Sequence, residues 1–220
     1  MPVTSTASAT RFRTTIRRVR LPNTVAPRNR DTPPTPEGPL ARPGEYTVRL
    51  TVDGKSFTQP LTLKLDPRVT APPEALAQQD ELTMLCYNGI NRVRAVQAEI
   101  GKLKAQLPAL KTRAGQGATA DALTAFEQKL SEIEGAAGGF RGGGGGGGGS
   151  GVARLAGEFS SIMNLVDAVD AQPTAQAKAA AQALQGSLEQ QLARWQTVKN
   201  DEVRKLNDQL RQAGLPQINP

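Results

Sequence analysis

Carboxylates recur in close pairs along this chain: Asp80 and Glu81, Glu132 and Glu134, Asp167 and Asp170, Asp201 and Glu202, with Glu189 alone. Paired carboxylates are the raw material of two chemistries, the acid and nucleophile of a glycosidase and the ligand shell of a helix-bundle di-metal centre. Each needs something more. The di-metal centre needs Glu-x-x-His on two of its helices, and the chain contains no histidine. A glycosidase cleft needs aromatic rings to stack on sugar, and there are one Trp and two Tyr in 220 residues. The carboxylates therefore read as solvated, ion-paired helix faces. Cys86 is the sole cysteine, so an intrachain disulfide or thiolate cluster is excluded. It lies in the apolar stretch "ELTMLCYNGI" with no histidine to activate it, and reads as a buried, inert thiol.

The glycine run "GGFRGGGGGGGGSG" (138–151) formally contains GxGxxG. A phosphate-cradling loop follows a buried strand and opens a helix, with a Lys-Ser/Thr or a ribose-binding acid in place. Here a helical pattern precedes the run, and "GSGVARLAG" supplies no lysine. It reads as a flexible Gly-rich linker over 135–151, longer than the ~8–10 Å between neighbouring helix axes requires. The expected site list is thus empty: no catalytic, cofactor-binding or metal-ligating residue, and no cofactor.

The elements that would position any site fall into three parts. Residues 1–44 hold eight arginines against Asp31 and Glu37, whereas the other 176 residues carry 19 basic and 18 acidic side chains. All but one of the +7 net charge therefore belongs to one segment. Half of the sixteen prolines also fall there, so 1–37 reads as a disordered Arg/Pro-rich arm. Such an arm can touch an anionic partner by counterion release without encoding a specific nucleic-acid site. Its opening residues lack the apolar centre of a secretory signal, and no apolar run approaches the ~18–20 residues of a membrane span.

Residues 38–70 change character. Tyr46, Val48, Leu50 and Val52 alternate with Thr47, Arg49 and Thr51, and Asp53-Gly54 supplies a tight-turn pair. Leu61, Leu63 and Leu65 then share one face of a return strand, with Pro60 marking an edge or a bend. A lone hairpin is marginal in water and leaves its apolar face needing cover, from the helices or from strands elsewhere.

From residue 71 the period becomes helical. Stripes run from Leu82 to Leu110, with Asn88-Gly89 and Pro108 as expected kinks or stops, then Leu123 to Ile133, Val152 to Val169, and Leu184 to Leu210. Asp170 or Thr174 can cap the last helix, and Gly214 and Pro216 end it. The predicted fold is mainly α: an antiparallel bundle of about four helices, two of them long, after a β-hairpin. We expect the two long helices to form a stalk thickened to four helices over part of its length, with Trp195 in its core. The long stripes also permit oligomerisation through a coiled coil.

Two stretches resemble a known family. "GPLARPGEYTVRLTVDGKSFTQPLTLKLDPRV" (38–69) is similar to the segment after the propellers of bacterial sortilin-like, BNR (Asp-box) repeat proteins, often labelled glycosyl-hydrolase-like. That family's closing helices carry "DAxPT", a Trp, then "LNxxLxxxGLP", matched here by Asp170, Pro173 and Thr174, by Trp195, and by Leu206, Asn207, Leu210, Gly214, Leu215 and Pro216. The resemblance spans about 38–135 and 152–218. It implies the end of an Ig-like β-domain plus a helical bundle, the C-terminal appendage of a larger exported protein. Any hydrolase activity would reside in the absent propeller. The chain itself is expected to be no enzyme, and its helices are expected to pack on the hairpin and brace a neighbouring domain.

Overall fold

A computed structural model describes residues 39–135 and 151–220. The expected Arg/Pro-rich arm and all of the Gly-rich linker except its two end residues lie outside the described residues. The chain divides between Val69 and Thr70 into two compact units, a β-hairpin and a helical bundle. The described residues are mainly helical, with four helices, two of them long, following the hairpin.

In the hairpin, β1 (Gly44–Val52) pairs antiparallel with β2 (Lys55–Leu63). Asp53 and Gly54, with φ of 49° and 75°, make the turn whose twist suits two antiparallel strands. Tyr46, Val48, Leu50 and Val52 line one face with Phe57 and Leu61 opposite them, while Thr, Ser, Glu45 and Arg49 take the other. The polar face is cross-linked by Thr51 to Ser56 and by Thr62 donating to Glu45, both at 2.9 Å. The apolar face is open, with Leu50 60% and Phe57 59% exposed.

The bundle begins with α1 (Pro73–Ala114), a helix of 42 residues and about 63 Å. It runs through both expected breaks. Pro108 costs one backbone bond to Lys104, and Gly89 serves a packing purpose described below. α2 (Ala118–Glu134) and α3 (Val152–Val166) both return antiparallel to α1. Lys104 meets Glu134 and Lys111 meets Glu127 along one half of α1. Gln79 and Gly89 meet Val166 and Phe159 along the other half. The two shorter helices therefore follow one another down α1 and do not lie side by side. The last leg, α4 (Ala175–Thr197), continues through a π-turn (Val198–Glu202) into α5 (Val203–Gln212). It runs parallel to α1, as the pairs Gln78–Lys178, Arg92–Glu189 and Glu99–Lys199 establish. The four helices thus make a three-legged, up-down-up bundle whose middle leg comes in two pieces, which corrects the expected four-helix cross-section.

The caps follow residue type. Thr174 Oγ1 accepts from Ala177 N at 3.1 Å, so Thr174 and not Asp170 starts α4. Gly214, at φ 67°, ends α5 with Leu215 N donating to Leu210 O. Val169, assigned to the third stripe, lies past the end of α3 and is exposed. The π-turn also has a sequence cause. Leu188 and Trp195 are seven residues apart, but Val203 follows only eight later, and the extra residue is absorbed by one wider turn.

The join between α2 and α3 is unusually tight. A Cβ on Gly151 would stand 2.5 Å from Gly135 Cα and 2.8 Å from Glu134 O. The Gly135 and Gly151 Cα atoms are thus on the order of 4 Å apart, near the separation of bonded neighbours. Deleting residues 136–150 and joining Gly135 to Gly151 is expected to leave helicity intact and to move the melting temperature by only a few degrees, since loop entropy varies slowly with length. Circular dichroism melts of the two chains check this.

Candidate functional site

The carboxylates singled out for chemistry are dispersed along the bundle, and several of them are held in ion pairs. Glu134, Glu189 and Glu202 pair with Lys104, Arg92 and Lys129, on three different parts of the bundle. Among the described residues no three His, Cys, Asp or Glu side chains come together as metal ligands. Among the same residues no helix is long and apolar enough to cross a membrane. Cys86 is fully buried on α1, and burial, with the Asp167 charge adding to it, pushes its thiol up to about 11. At neutral pH it is a protonated core side chain, not a thiolate nucleophile.

Two polar arrangements that stripe reading passed over hold the helices in register. In the first, Gln79 is buried on α1 and its Nε2 donates to Val166 O at 2.8 Å and Val169 O at 2.7 Å. It thereby satisfies carbonyls at and just beyond the end of α3, which that helix cannot satisfy itself. Thr83 Oγ1, fully buried one turn on, is 2.9 Å from Gln79 O and 3.1 Å from Asp167 Oδ1. The signal was present: Gln79, Thr83 and Cys86 continue the α1 stripe toward its N-terminus with polar residues where apolar ones are the rule.

The second arrangement centres on Trp195, which is 1% exposed as expected of a core residue. Its Nε1 donates to Glu99 Oε2 at 2.6 Å, and Lys199 Nζ reaches the same oxygen at 2.9 Å. Lys199 also stands 5.7 Å from the centroid of the Trp195 ring, within cation–π range. Burial disfavours the ionised Glu99, but the hydrogen bonds from Lys199 and Trp195 together outweigh it and hold the carboxyl below its ordinary range. The π-turn beginning at Val198 brings Lys199 over this cluster.

Two shallow grooves flank the α1/α4 seam. One, of about 520 Å³, runs past Asp80, Met84, Gly89 and Leu188, and the other, of about 510 Å³, past Val96, Glu99, Leu192 and Trp195. Arg92 and Glu189 divide them with a two-pronged pair at 2.5 and 2.9 Å. Neither groove gathers a nucleophile with a base, or a cation cluster. Arg92 pairs with Glu189, and Glu99 with Lys199 and Trp195, which is the behaviour of an interhelical seam. Comparison with protein-family models, with curated proteins and with solved structures finds no match.

Proposed function

We propose that the chain is a non-enzymatic structural and interaction module, the C-terminal appendage of a larger secreted BNR-repeat propeller protein. The observation that carries this reading is the hairpin. Two strands alone are marginal, and these expose Tyr46, Val48, Leu50, Val52 and Phe57 on one face. Such a face belongs against a further β-layer, which the resemblance of 38–69 to the end of an Ig-like domain would supply from preceding sequence. The order hairpin, then bundle, with Trp195 and the "LNDQLRQAGLP" ending in the last leg, agrees with that reading. The test is the genomic sequence immediately before Met1. An in-frame Asp-box propeller is expected there, and an unrelated gene would sink the proposal.

A second reading rests on the arginine-rich segment: a standalone adaptor whose basic arm contacts an anionic partner. It requires salt-sensitive polyanion binding that disappears when residues 1–37 are removed.

A further inference from the structure

Among the described residues the sheet has only β1 and β2, and we infer that it has one open edge and one closed edge, the open edge, β1, pairing with β1 of a second copy of this chain. This rests on the reading of the chain as an interaction module and names its partner. The asymmetry follows from the turn. In a hairpin closed by two residues, Val52 and Lys55 form a hydrogen-bonded pair, and the pairs then alternate outward. Thr51–Ser56, Arg49–Thr58, Thr47–Pro60 and Glu45–Thr62 are accordingly the non-hydrogen-bonded pairs, whose backbone groups point away from the hairpin. The close Thr51–Ser56 and Glu45–Thr62 side-chain contacts agree with that phase. Pro60 thus sits where an outward N–H of β2 would be, and a proline there blunts the edge at no cost to the hairpin. On β1 the outward positions are Glu45, Thr47, Arg49 and Thr51, all with an N–H to offer.

Charge then selects the occupant. An antiparallel β1–β1′ pair with its two-fold axis at Thr47 sets Arg49 opposite Glu45 of the other copy, and the symmetry repeats the contact. Both copies keep Tyr46, Val48 and Leu50 on the same side, so a four-stranded sheet forms with one continuous apolar face. Because β2 is closed, growth stops at two copies. One open edge gives a dimer and not a fibre.

Sedimentation equilibrium of the intact chain, up to sub-millimolar concentration, tests the pairing. The monomer mass is 23.3 kDa, and a species of twice that mass is expected. Thr47→Pro mirrors Pro60 on the other strand, so it closes β1 without breaking a hydrogen bond inside the hairpin. It is expected to weaken association by about tenfold or more. Arg49→Glu, which sets like charges opposite each other, should do the same, and adding Glu45→Arg should restore the dimer. Far-ultraviolet dichroism confirms that each variant keeps its helices. A chain that stays monomeric throughout, or a dimer indifferent to Thr47→Pro and Arg49→Glu, would overturn the inference. Either result leaves the genomic test of the module reading untouched.

Discussion

Trp195→Ala is expected to destabilise the bundle by about 3–5 kcal/mol, the range for removing a buried large aromatic. The ring is the largest fully buried side chain, seated where α4 meets α1. Its loss opens a cavity in the core between the two legs. It also strips Glu99 of one of two donors and Lys199 of the aromatic face beneath it. Urea unfolding followed by circular dichroism should show a lower midpoint at unchanged slope. Trp195→Phe separates packing from hydrogen bonding, because it keeps most of the ring and loses Nε1–H. Its cost should be about 1–2 kcal/mol, chiefly the hydrogen bond to a charged group. The sign of its pH dependence follows from Glu99. A carboxyl whose folded value lies below the ordinary 4.5 contributes stability above the unfolded value and loses it as pH falls through the folded one. The gap between Trp195→Phe and the parent should therefore narrow on acidification below about 4.5. A gap that stayed constant or widened would show that Glu99 is not the acceptor that matters.

The elements were legible because their periods differ. Alternation at Tyr46 to Val52 and Asp53-Gly54 define the hairpin, and steps of three and four define each helix. The arrangement of the legs was not. Stripes state which face of a helix is buried, not whether the next helix packs beside it or continues beyond it. Leu123 to Ile133 and Val152 to Val166 are equally good stripes in either arrangement, and their contacts with opposite halves of α1 decide between them. The π-turn was readable in principle, since Leu188, Trp195 and Val203 break a seven-residue step by one. The interhelical seam was half visible. Trp195 announces a core position, but its acceptor Glu99 is almost a hundred residues away, and no local pattern joins them. Gln79 and Thr83 left a signal that is easily passed over for a different reason: a polar residue on a stripe reads as a flaw until its buried partners are known.

Gly89 shows the same limit and yields the second large effect. In sequence, Asn88-Gly89 is a weak point in a long helix, since glycine costs about 1 kcal/mol relative to alanine in a helix interior. In the fold α1 passes through it without interruption, because the missing side chain leaves room for a neighbour. A Cβ at this position would lie 2.7 to 2.9 Å from three atoms of the Phe159 ring, which is itself fully buried. The ring cannot swing into solvent, so α3 must retreat from α1 or the ring must leave its rotamer. Gly89→Ala gains helix propensity and pays overlap, a net loss of about 1 kcal/mol. Gly89→Val adds two methyls more and a stiff β-branch, and should cost about 3 kcal/mol. The two sites should be strongly coupled. Phe159→Leu is destabilising alone, but in the Gly89→Ala background part of its cost is returned, with an interaction of about 1 kcal/mol. A double-mutant cycle from urea midpoints measures that term. Additive effects would mean that the α1–α3 contact at Gly89 is looser than its geometry, and that the glycine is merely tolerated in the helix.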